Sequence, residues 1–83
     1  SGSRQAHVVT VLLDRDTASV EAIETALREM PLTVQTLALL PGQKANEQEM
    51  QVLVTRIPQS ELVTLTTRIA GFPGVRRVTL GER

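Results

Sequence analysis

Few residues in this sequence have the types and spacing that chemistry needs. Asp14 and Asp16, two positions apart, and the single histidine, His7, are the groups that could attract a hard cation. Such an ion normally gathers six or more oxygen ligands, whereas aspartates that follow an apolar run more simply cap a helix. The pair is therefore expected to cap, and His7, at the start of a strand, to lie on the surface. Arg76-Arg77 is the one basic doublet. Alternation along a strand sends two successive side chains to opposite faces, so the doublet reads as a solvated strand edge and not as a phosphate site. Asn46, the only asparagine, falls in a polar loop. With no cysteine there is no thiolate, no soft-metal clamp and no disulfide. His7 has no cysteine beside it, and no motif surrounds any serine, so no nucleophile and base can be paired. No catalytic residue, cofactor or metal ligand is expected, and the chain reads as a protein that is not an enzyme.

The composition narrows the partners further. The 83 residues carry 9 basic and 9 acidic side chains, for a formal charge of +0. A surface for nucleic acid needs clustered positive charge, and RNA-binding sheets stack bases on aromatics. Here Val9, Val11, Val52 and Val54 hold the corresponding strand positions, and Phe72 is the sole aromatic. Nucleic acid is excluded as a partner. The core must be aliphatic, and no run reaches the roughly 18 apolar residues of a membrane span. Ser1-Gly2-Ser3 has the look of a tag remnant. Residues 1–5 are accordingly read as remnant and linker, and 6–83 as a single domain cut from a longer protein.

Six elements would have to position any site. HVVTVLLD, from His7, is a strand apolar on both faces, as a central strand is. Val20, Ile23, Leu27 and Met30 recur at helical spacing behind the caps offered by Asp14, Asp16, Thr17 and Ser19, and Pro31 ends that helix. Thr33 to Leu40 is a second strand. Pro41 to Gln48 is a polar Pro-Gly loop, and the strand from Glu49 through MQVLVTRIP follows it. Leu62, Leu65, Ile69 and Phe72 mark a second helix, Gly71 and Pro73-Gly74 end it, and Val75 to Leu80 is the last strand.

The order βαββαβ with right-handed crossovers gives an α+β, ferredoxin-like domain: a four-stranded antiparallel sheet with two helices on one face. The first and third strands are then central. Because both are apolar on both sides, the face away from the helices is expected to expose an apolar patch, and such patches mark interaction surfaces. With Val9, Val11 and Leu13 directed at the helices, Val8, Thr10, Leu12, Leu53, Thr55 and Ile57 form the expected interaction face.

The run Ala70-Gly71-Phe72-Pro73-Gly74-Val75-Arg76-Arg77-Val78 resembles the last helix-to-strand junction of ACT-type regulatory domains. More specifically, Met50 to Leu80 resembles the carboxy-terminal cytoplasmic ACT-like domain of the MgtC/SapB family of bacterial membrane proteins: an apolar strand, a helix of the Leu-x-x-Leu-x-x-x-Ile type, then Pro-Gly-Val-Arg-x-Val. The resemblance covers about 30 residues closely and the first half in layout. It implies a regulatory or protein-interaction domain of an inner-membrane virulence factor, one involved in adaptation to low magnesium and survival in macrophages. The implied partner is a membrane protein or the parent's own membrane domain, or a second copy in a homodimer. Amino-acid-sensing ACT domains, the alternative, carry Asp-x-Pro-Gly-x-Leu after the first strand. This chain has Asp14-Arg15-Asp16-Thr17-Ala18-Ser19-Val20 there, and its acidic side chains would repel a ligand carboxylate.

Overall fold

The computed structural model describes residues 5–82, so the remnant expected at Ser1-Gly2-Ser3 lies outside the described residues. Along the chain run β1 (His7–Asp14), α1 (Val20–Arg28), β2 (Thr33–Pro41), β3 (Glu47–Thr55), a single 3₁₀ turn (Gln59–Glu61), α2 (Leu62–Ala70) and β4 (Val75–Glu82). The sheet order is β2-β3-β1-β4, every neighbouring pair antiparallel, which is the ferredoxin-like arrangement with β1 and β3 at the centre.

Packing follows the period-two pattern of the central strands. Val9 faces Val52 across the β1–β3 ladder, and Val11 faces Met50. These side chains, with Leu13 and Val54, are fully buried against Ile23 and Leu27 of α1 and Leu62, Leu65 and Ile69 of α2. The core thus lies between the sheet and one layer of two helices. It is built almost wholly from aliphatic side chains, with Phe72 packed at its margin.

The two helices form for different reasons. In α1, the Ser19 Oγ accepts a hydrogen bond from the Ala22 N–H at 3.1 Å, and Glu24 bridges Arg28 one turn later at 2.9 Å. Ser19 is thus the cap, and the expectation that Asp14 or Asp16 caps the helix is corrected. The helix ends at Arg28, two residues before Met30, with Pro31 just beyond. In α2, Val63, Thr64, Thr66 and Thr67 are β-branched and individually poor helix formers. This helix is held by burial of Leu62, Leu65 and Ile69, since a nine-residue helix does not stand on propensity alone.

His7 belongs to the buried set. Its position in the β1 alternation places it on the helix side, facing Val54 and Glu82, where it is 3% exposed. Its Nδ1 has no hydrogen-bond partner among the described residues. The surface position expected for it is corrected: parity along the strand outweighs the polarity of one imidazole.

Candidate interaction face

The sheet face away from the helices is made of cross-strand rows. Thr36, Leu53, Val8 and Gly81 form the first, Ala38, Gln51, Thr10 and Thr79 the second, and Leu40, Glu49, Leu12 and Arg77 the third. Val8, Thr10, Leu12, Leu53 and Thr55 are each half-buried, covered by neighbours in the sheet and by no helix. The structure therefore brings five of the six expected residues to one face. Along it the chemistry changes. Val8, Thr36, Ala38, Gln51 and Leu53 line a shallow, mainly apolar depression of about 210 Å³. Leu12, Gln43, Lys44, Glu47, Glu49 and Arg77 line a second, polar one of about 280 Å³ at the other end.

Ile57 is the exception. β3 ends at Thr55, and Arg56 adopts φ 61°, in the left-handed region. That single residue breaks the alternation, so Ile57 turns into the core at 5% exposure, with Leu62 beside it in the same cluster. Extrapolating the strand by two residues put it on the wrong side. Thr36 and Ala38 were not expected at the face. Their parity in β2 is shifted by a bulge at Gln35, between the Val34–Val54 and Thr36–Leu53 pairs, which the sequence does not announce.

The polar end is anchored by an ion-pair cluster. A second bulge, where β1 passes from pairing Arg77 to pairing Val75, leaves Arg76 unpaired in the ladder. Its guanidinium donates to the Glu47 carboxylate at 2.9 Å and to the Asp14 carboxylate at 3.2 Å. Asp14 also accepts from the Asp16 N–H at 3.0 Å, and Glu47 from the Lys44 N–H at 3.2 Å. The Asp16 N–H, then Arg76, hold the Asp14 carboxyl below its ordinary value. The Lys44 N–H, then Arg76, do the same for Glu47, against the opposing effect of its burial. In return Asp14, then Glu47, raise Arg76. Arg76 is thus tied to β1 and β3 while it stays exposed on the edge strand β4, as expected from the sequence, and the bulge overrides the simple alternation expected of the doublet.

Backbone contacts lock the same end. The Asp14 N–H donates to Gly74 C=O and the Arg15 N–H to Asn46 C=O, both at 2.8 Å. Gly74 has φ +80°, and a Cβ there would lie 2.5 Å from the Ala18 nitrogen, so glycine is needed for both conformation and space. Asp14 and Glu47 are committed to Arg76 and to backbone donors, and no group of three or more His, Asp or Glu side chains suited to an ion occurs among the described residues.

A solved structure resembles this arrangement over its whole length. The carboxy-terminal domain of the MgtC protein from Mycobacterium tuberculosis superposes with a TM-score of 0.82, covering 100% of this chain and 92% of that one at 12% sequence identity. The chain shares its fold with the MgtC carboxy-terminal domain. The resemblance read from Met50 to Leu80 thus holds, at the level of the fold, for the amino-terminal half as well. No family model matches the sequence, and no curated protein matches it significantly. No helix among the described residues is long and apolar enough to cross a membrane.

Proposed function

We propose that this chain is the cytoplasmic, carboxy-terminal regulatory domain of an MgtC-like bacterial inner-membrane protein, and that it works by binding protein and not by catalysis. The observation that carries the reading is the uncovered sheet face, with Val8, Leu12 and Leu53 half-buried on an otherwise MgtC-like fold. A sheet with helices on one side leaves its other side as the natural docking surface, and apolar side chains there gain free energy when a partner covers them. The proposed partner is a membrane protein or the membrane-embedded part of the parent. The biological setting is that of MgtC-like proteins, adaptation to low magnesium and survival inside macrophages, with the domain modulating its partner's activity.

The test combines binding with folding. Leu12→Ser with Leu53→Ser should leave the dispersed amide spectrum of the isolated domain intact, because neither side chain belongs to the buried core. Introduced into the parent protein, the same pair should abolish co-purification of the domain with the membrane-embedded part and the growth advantage in low magnesium. Collapse of the spectrum would place these residues in the core and sink the assignment, as would undiminished growth and co-purification.

A further inference from the structure

The uncovered face restricts what can lie on it. β1 and β3, its central strands, are each paired on both sides, so their backbone N–H and C=O groups are engaged within the sheet. An extended segment laid across them would press its own unpaired backbone groups against apolar side chains, which is costly. A helix arrives with those groups already bonded to one another. The surface also leaves room for one. Thr10, Thr79 and Ala38 are short side chains in one row, and a Cβ built at Gly81, beside Val8, would meet nothing within 4 Å.

The two depressions on this face take different groups. The one lined by Val8, Ala38 and Leu53 suits an aliphatic side chain. The other, lined by Lys44, Glu47, Glu49 and Arg77, has its acceptors engaged and its donors free. Glu49 accepts from the Gln51 amide at 2.7 Å and Glu47 from Arg76 at 2.9 Å. The side chains of Lys44 and Arg77 have no ion-pair partner among the described residues. What that end lacks is a carboxylate. The rows through Leu53 and Glu49 lie four residues apart along β3, a distance of about 13 Å, which a helix covers in about nine residues. We propose that the occupant of the uncovered face is an amphipathic helix of the partner protein, lying along β1 and β3. A first aliphatic residue, i, enters the apolar depression, a second, i+4, covers Thr10, and a carboxylate at i+8 meets Lys44 and Arg77. These three positions share one side of a helix, and the arrangement is that of a helix docked in a groove. It names the partner's chemistry for the docking reading above and rests on that reading.

Amide shifts of the chain titrated with synthetic peptides test it. The probe is an alanine-rich peptide of about 16 residues, long enough to hold a helix alone, with Leu at i and i+4 and Glu at i+8. A second peptide has Lys at i+8. The Glu peptide should shift the amides of Val8, Thr10, Leu53 and Arg77 saturably, with a dissociation constant of about 1 mM or below. The Lys peptide should bind about three- to fivefold more weakly, the effect of one exposed ion pair. Arg77→Glu should reverse the order of the two peptides, and Lys44→Glu serves if that variant fails to fold. Leu53→Ser should weaken the Glu peptide, as should Gly81→Gln, whose side chain would enter the notch beside Val8, and both should keep a folded spectrum. No saturable shift with either peptide at about 5 mM, well above the expected constant, overturns the proposal. So do equal binding of the two peptides, an order that the charge reversals leave unchanged, and shifts of the same residues by phosphatidylglycerol vesicles alone, which would make a lipid surface the occupant. Failure of the docking reading itself shows separately, as undiminished co-purification when the parent carries Leu12→Ser with Leu53→Ser.

Discussion

Arg56 holds φ 61°, a conformation that costs a non-glycine residue about 1–2 kcal/mol. Arg56→Gly removes that cost and gives back part of it as extra freedom of the unfolded chain, so a net gain of about 0.5–1 kcal/mol is expected in urea melts. Arg56→Val, β-branched at the same backbone angle, should instead lose stability. Leu65 marks the opposite extreme of the residue scale, fully buried between helix and sheet. Leu65→Ala should cost about 2–5 kcal/mol through lost burial and the cavity left behind. The ion-pair cluster sets the acid limit. Asp14 and Glu47 titrate lower in the folded chain than in the unfolded one, so their contribution is complete at neutral pH and is lost as pH falls through the folded values. The urea midpoint should hold from pH 7 to about 5 and drop below about pH 4. Arg76→Met should shrink that drop.

At the scale of elements, the locked end rests on the α2–β4 turn. Gly74→Ala puts a methyl group against the Ala18 backbone at a positive φ. It should lose more than about 1 kcal/mol and loosen the Asp14–Gly74 hydrogen bond, which amide exchange at Asp14 reads directly. The elements themselves were legible in the sequence. Val9-Val11-Leu13 and Met50-Val52-Val54 alternate without a break, and Leu62, Leu65 and Ile69 keep helical spacing, so element order, central strands and helix side all follow. What the sequence hides are single residues that change parity. The bulges at Gln35 and Arg76 and the left-handed turn at Arg56 leave no pattern in composition, yet each flips everything beyond it. Ile57 turns to the core for that reason, Arg76 meets partners that simple alternation does not give it, and Thr36 and Ala38 reach the uncovered face. The ion pairs join residues 29 and 62 positions apart, separations at which no spacing rule operates.

For the molecule as a whole, the prediction concerns magnesium. The carboxylates are either paired, as Asp14 and Glu47 are with Arg76 and Glu24 with Arg28, or scattered: Asp16 in a turn, Glu21, Glu29 and Glu61 at helix ends, Glu49 and Glu82 on strands. Six oxygens cannot be gathered from them without breaking existing contacts. Amide spectra with and without millimolar Mg²⁺ should coincide, and saturable shifts confined to Asp14–Thr17 or to Glu47 would refute this.

The His7–Glu82 pairing has a mechanical consequence. The first residue of β1 and the last of β4 face each other across one ladder, so both ends of the domain leave from the same rim of the sheet. A force applied between them acts across the β1–β4 hydrogen bonds one pair at a time, beginning at the rim, and never along the strands together. The domain should therefore open like a zipper at low load, with β4 peeling away towards the ion pairs of Arg76 at the far end. Pulled through those two residues it should yield well before it does when held by Asp14 and Glu82, a geometry that drags β1 and β4 past each other in shear.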